Sequence, residues 1–185
     1  MVKRMNRSVW IFAFFFFMTP HSFAKDAYEI VNIELIQTEQ KKHIGRVQAE
    51  FEGNVNEVFS IITDFDNLDQ FMPRIGESTV VQKTEDFVEI EIEIDMPFPI
   101  SNITYVNHVD YFPKEYRTKF AMVPGSSEDV KDAYGHWKLE AKGEDKTFAE
   151  YEVFFLTNQR YPRSIEKKAT KRSLKKLVKV VQEQI

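Results

Sequence analysis

Apolar and polar positions alternate along most of this chain, and the alternation changes to a helical period in only two places. The first is Val47 to Ile75 (VQAEFEGNVNEVFSIITDFDNLDQFMPRI). It opens in strand phase, with Val47, Ala49 and Phe51 on one side. Gly53 allows a sharp reversal. Val55, Val58, Phe59 and Ile62 then recur at i, i+3, i+4 and i+7, the apolar face of a helix. Asn54 is the expected N-cap, with Glu57 three residues on as in a capping box. Asp66 is expected to cap a second short helix over 67–72, which Pro73 ends.

Around this stretch the period is two. Tyr28 to Gln37 predicts a strand with Val31, Ile33 and Leu35 on one side, and 45–52 is its hairpin partner. After Pro73, strands are predicted at 78–83, 88–96, 102–112, 115–123, 134–141 and 147–156. Val88, Ile90, Ile92, Ile94 and Met96 alternate with Glu89, Glu91, Glu93 and Asp95, so one face is dry and the other wet. The second helical stretch is C-terminal. It begins at Pro162, with Ile165, Ala169, Leu174, Leu177, Val178, Val181 and Ile185 as its apolar stripe. The order predicts an α+β domain: a curved antiparallel sheet around a long C-terminal helix, with two short helices after the first strands.

Residues 1–24 differ in kind. Lys3, Arg4 and Arg7 precede the apolar run Val9 to Met18, and Ser22-Phe23-Ala24 is a small-x-small cleavage signal. The run is too short for a bilayer span of about 20 residues. The expected organisation is a secretory signal peptide over 1–24, cleaved after Ala24, and one domain over 25–185, exported to the periplasm or cell exterior of a bacterium. Without the leader the chain carries 22 basic and 29 acidic residues. The terminal helix runs against this balance, with eight basic and two acidic residues from Arg163 to Ile185. That face suits solvent, an acidic partner or an anionic membrane; net acidity and export exclude nucleic acid.

Catalytic motifs do not emerge. The chain of 185 residues has no cysteine, so lipoprotein anchoring, zinc-thiolate sites and thiol nucleophiles are excluded. No Gly-rich phosphate loop, G-x-S-x-G elbow or H-E-x-x-H motif occurs. His108 and His136 show no metal-ligand spacing, and alternation against Trp137 turns His136 outward. The Glu89-to-Asp95 carboxylates read as a solvated face. Asp64-Phe65-Asp66-Asn67 lacks the glycine and terminal Glu of a calcium loop. No metal site or cofactor is expected.

Thr63-Asp64-Phe65, Asn67-Leu68 and Phe71-Met72-Pro73 resemble the opening helices of START-like proteins of the polyketide-cyclase and coenzyme-Q-binding (SRPBCC) group. Gly135 to Leu139 and Thr147 to Val153 are similar to the group's last two strands, and the likeness spans Ile30 to Ile185. The resemblance implies the helix-grip fold and the binding of a lipid, isoprenoid or other apolar small molecule between the sheet and the C-terminal helix. Phe65, Phe71, Met72, Met96, Phe98, Tyr105, Phe120, Met122, Trp137 and Tyr151 are the candidate lining residues. Phe71, Met72 and the Met96-to-Pro99 turn are candidates for the mouth. A non-enzymatic carrier is the leading expectation. A cyclase- or hydrolase-type enzyme using the same hollow, and a filled domain used for protein interaction, are the alternatives.

Overall fold

The alternation resolves into one sheet. The computed structural model describes residues 28–38, 43–96, 101–158 and 163–185. Among these, eight strands form an antiparallel sheet: β1 (Tyr28–Gln37), β2 (His43–Glu52), β3 (Ile75–Lys83), β4 (Phe87–Ile94), β5 (Ile103–Phe112), β6 (Arg117–Met122), β7 (Val130–Ala141) and β8 (Lys146–Thr157). The spatial order is β1-β2-β8-β7-β6-β5-β4-β3. Strands β3 to β8 are a meander that brings β8 back beside β2. The connection from β2 to β3 therefore leads from near one edge of the sheet to the other. It holds α1 (Val55–Ile62), a 3-10 turn (Phe65–Asn67) and α2 (Leu68–Phe71). This crossover and α3 (Arg163–Gln184) bury the inner face of the sheet, in the helix-grip arrangement.

Local chemistry sets the crossover. The Asn54 side chain accepts from the backbone N–H groups of Asn56 and Glu57 at 3.1 and 3.0 Å, which caps α1 as expected. The Glu57 carboxylate lies 3.4 Å from Asn54 Nδ2, so the reciprocal contact is to the cap's side chain and not its backbone. Gly53 is needed for space: a Cβ there would lie 2.7 Å from Ile185 Cγ2, which closes α3 against the turn. Asp66 does not cap α2. Instead Ser78 Oγ accepts from the Leu68 N–H at 3.2 Å, and Asp64 accepts from Asn67 Nδ2 at 3.0 Å. A 3-10 turn followed by a single α-turn stands where one short helix was expected.

Two apolar patterns are corrected. A register shift between Ile30 and Asn32 turns Val31 to solvent, 53% exposed, while Ile30 and Ile33 pack on the core. A β-bulge of this kind adds one residue and reverses the phase beyond it. In α3 the buried stripe is Leu174, Leu177, Val178 and Val181; Ala169 is exposed and Ile165 is 57% exposed. Helix α3 packs on β1, β2, α1 and α2, and its first turns project past that support. Gln182 ties its C-terminal half to β2, accepting from the Glu52 N–H at 3.0 Å and donating to the Glu52 carbonyl at 3.1 Å.

Candidate ligand-binding site

Inward-facing residues of β4 to β8 meet the crossover around an interior hollow of about 80 Å³. Ile62, Phe65, Leu68, Phe71 and Met72 close it from the helices, and Ile90, Tyr105, Phe120, Trp137 and Tyr151 are among its sheet residues. Seven of the ten candidates are brought together here: Phe65, Phe71, Met72, Tyr105, Phe120, Trp137 and Tyr151. Met122 and Met96 pack, half-buried, against the core without lining the hollow; the Met96 sulfur lies 3.2 Å from Arg74 Nη2. Phe98, most of the expected mouth turn and the expected leader lie outside the described residues. The position also differs. Among the described residues none from α3 lines the hollow, and Leu174, Leu177, Val178 and Val181 are buried in the core. The hollow lies instead between the sheet and the α1–α2 crossover.

The aromatic wall is ordered by ring contacts. Trp137 and Tyr151, cross-strand partners on β7 and β8, have ring centroids 4.5 Å apart. Phe120 stacks on Tyr151 at 6.2 Å, and Tyr105 meets Phe155 at 5.8 Å. Exposure is graded along the lining. Met72 and Ile75 are half-buried and Phe155 is 38% exposed, whereas Tyr105, Trp137 and Tyr151 are buried. Met72, Ile75 and Phe155 thus mark the open end.

No charged side chain lines the hollow among the described residues. Two neutral polar side chains missed from the sequence, Asn107 and Thr118, do. The signal for Asn107 is its phase: it falls between Tyr105 and Val109 on the inward face of β5. Its Nδ2 donates to the Tyr105 hydroxyl at a long 3.4 Å, and its Oδ1 is buried with no hydrogen-bond partner. Such an unpaired buried group costs about 1–3 kcal/mol. Burial pushes the Tyr105 phenol up to about 12, against the Asn107 hydrogen bond, and burial beside Tyr105 pushes Tyr151 higher still. Both phenols are therefore protonated at neutral pH.

The sequence matches the family described as polyketide cyclase / dehydrase and lipid transport over residues 52–179. This chain belongs to that family. A search of curated protein sequences finds no match. Solved structures of the same fold include human StAR-related lipid transfer protein 5, with a TM-score of 0.65, 11% identity and 86% of each chain covered. A START superfamily protein from Mycobacterium smegmatis gives a TM-score of 0.64 at 14% identity, covering 77% of this chain and 96% of its own. The Zhui aromatase/cyclase from Streptomyces sp. R1128 gives 0.62 at 13%, covering 77% and 94%. At these identities the likeness is one of fold.

This member of the polyketide cyclase and lipid transport family also has a groove of about 410 Å³, where the charged or ionisable His108, Asp110, Lys119, His136 and Glu152 stand beside Ile44, Phe120, Ala121, Tyr134 and Val153. Strand pairing sets four of these residues in one lateral row that continues outward: Asp110, Lys119, His136, Glu152, Arg46 and Glu34 face one another in turn across β5, β6, β7, β8, β2 and β1. His136 Nε2 is 3.4 Å from Glu150 Oε1 and its Nδ1 is 3.7 Å from Glu152 Oε2. Ligand atoms of His136, Glu150 and Glu152 all lie within 4.8 Å of one another, which is close enough to hold a metal ion. The sequence had offered no such spacing for His136, because cross-strand pairing makes it. Arg46 already supplies a cation there, paired with Glu152 and 3.9 Å from Glu150. Burial would raise the Glu150 carboxyl, but hydrogen bonds from Gln48 and His136 and the nearby Arg46 charge hold it below the ordinary value. The cluster reads as a charge network on the sheet surface.

Proposed function

We propose that this chain binds and carries an apolar small molecule, a lipid or isoprenoid, in the hollow between the sheet and the α1–α2 crossover. One observation carries the reading: a lining of apolar and aromatic side chains with no charged group among the described residues. Desolvation then supplies most of the affinity, at about 25 cal/mol per Å² of apolar surface. Membership of a family described as polyketide cyclase / dehydrase and lipid transport supports an apolar ligand. The named activity of the human neighbour, lipid transfer, points the same way. The cyclase neighbour raises the enzymatic alternative. No Asp, Glu, His or Lys lines the hollow among the described residues to serve as a general base, which favours the carrier.

The hollow of about 80 Å³ takes a few water molecules and is far below the roughly 300 Å³ of small ligand pockets. An empty space of ~300 Å³ would cost on the order of 7 kcal/mol. A contracted empty form that opens on loading avoids that cost. Met72 and Phe155 are placed to swing outward, and a thioether adapts to varied apolar shapes.

Delivery gives the basic helix a role. Lys167, Lys168, Lys171, Arg172, Lys175 and Lys176 are exposed on α3, with Ile165 exposed at its start and Phe155 and Leu156 exposed at the end of β8. Cations beside exposed apolar side chains suit the surface of an anionic bilayer. With cleavage after Ala24, the carrier works outside the cytoplasm. Native mass spectrometry of the protein purified without detergent tests the binding. A discrete added mass, extractable as one neutral lipid class, is expected. A bare chain mass that stays unchanged after incubation with a membrane lipid extract would overturn the carrier.

A further inference from the structure

We propose that the molecule held in this hollow is uncharged and bears a hydroxyl group, which docks on the Asn107 amide. The inference rests on the carrier reading and adds the chemistry of the head group. Asn107 is 5% exposed and lines the hollow from the inner face of β5. Its Oδ1 has no partner, and its Nδ2 makes one long bond to the Tyr105 hydroxyl. Turning the amide about its axis would let Tyr105 donate to the oxygen and leave the nitrogen unpaired instead. In either setting one end of a buried amide waits for a partner. A hydroxyl both donates and accepts, so it completes the amide in both settings. A hydrocarbon completes neither.

Charge narrows the class further. No Lys, Arg or His lines the hollow among the described residues, so a carboxylate or phosphate head would enter unpaired. No Asp or Glu lines it either, which leaves an ammonium head without a counter-ion. The amide is also close to the way in. Asn107 faces Met122 across β5–β6, and its β5 neighbour Tyr105 touches the exposed Phe155 ring at 5.8 Å. Trp137 and Tyr151 lie further from that opening and are apolar in bulk. This arrangement fits a molecule whose hydroxyl stays near the mouth while its hydrocarbon body reaches toward the Trp137–Tyr151 pair. Long-chain alcohols, isoprenoid alcohols and sterol-like alcohols share that chemistry.

The test compares 1-octanol, octane and octanoate as competitors of the neutral fluorescent probe N-phenyl-1-naphthylamine, on the full chain and on Asn107→Leu. Leu keeps the branched shape and heavy-atom count and removes the amide. The readout is the ratio of octanol to octane affinity, which cancels general changes in packing. That ratio is expected to fall about tenfold from wild type to Asn107→Leu, the effect of one buried hydrogen bond with its unpaired partner. Asn107→Ala should lower it in the same direction, and serves if the Leu variant does not fold. Octanoate is expected to bind more weakly than octanol to all three proteins. An unchanged ratio in a variant that still binds octane would overturn the hydroxyl and leave the carrier standing. Octanoate binding best would overturn the uncharged head. Failure of wild type to bind the probe or any competitor would overturn the carrier itself, and this inference with it.

Discussion

Gly135, on β7 beside the Phe120 ring, shows how tightly single residues are set in the sheet. A Cβ there would lie 2.1 Å from the Glu152 carbonyl oxygen on β8 and 2.5 Å from Phe120 Cζ. The first is backbone and cannot yield without opening the β7–β8 ladder. Gly135→Ala is therefore expected to destabilise by about 2–3 kcal/mol, lowering the thermal midpoint by roughly 5–10 °C in a chain of this size. Calorimetry of the variant checks it. Asn54→Ala removes two backbone partners from the first turn of α1 and is expected to cost about 1 kcal/mol in denaturant unfolding. The buried phenols give a pH dependence of defined sign. Tyr105 ionises near 10 when unfolded but is pushed up to about 12 in the fold. Between those values the unfolded chain releases a proton that the folded chain keeps, so stability falls as pH rises through that window. Below pH 10 this term is flat. Tyrosinate absorbance should lag behind that of free tyrosine until the fold is lost; full ionisation of a folded chain near pH 10 would contradict the burial.

Among the elements, α3 divides into a buried half and a projecting half. Leu177 is 2% exposed, so Leu177→Ala is expected to cost about 2–5 kcal/mol, whereas Ile165→Ser should leave unfolding nearly unchanged. The proposed membrane docking assigns the projecting half a separate role. Charge reversal at Lys168, Lys171 and Arg172 should leave the thermal midpoint within a few degrees and abolish co-sedimentation with anionic vesicles at low salt. Retained vesicle binding by that triple variant would move the docking surface elsewhere. The legibility of the chain follows the same physics. Strand existence was readable wherever one face is wet, as in β4, where Glu89 to Asp95 keep phase with Val88 to Ile94. The start of helix α1 and its apolar face were readable from its period and its Asn54 cap. The β1 bulge was not, because nothing in Glu29 to Asn32 marks the inserted residue. The projection of α3 was hidden for another reason: an apolar stripe states what a helix can bury, not how far the sheet beneath it extends. Most aromatic lining residues were legible from phase, whereas the pairing of His136 with Glu150 and Glu152 and the unpaired Asn107 oxygen depend on which strands become neighbours.

As a whole molecule, the protein combines a sheet whose inner face is apolar, a crossover that covers it, and a terminal helix of opposite charge to the rest. The helix carries eight basic and two acidic residues in a chain of net charge −4. On the proposed carrier reading, that segregation would orient the molecule at an anionic surface, and a small hollow would limit the cost of the unloaded fold. The central claim is that an apolar molecule enters between the sheet and α1–α2, and Trp137 lies in that lining. The chain from Lys25 onward holds Trp137 as its one tryptophan. The most direct measurement is a titration of this chain with a brominated long-chain alcohol, read by tryptophan emission. Saturable quenching of more than about half the emission at one molecule per chain is expected, since bromine quenches only at contact range. Binding of the alcohol that leaves Trp137 emission unchanged would place the ligand elsewhere and contradict the account.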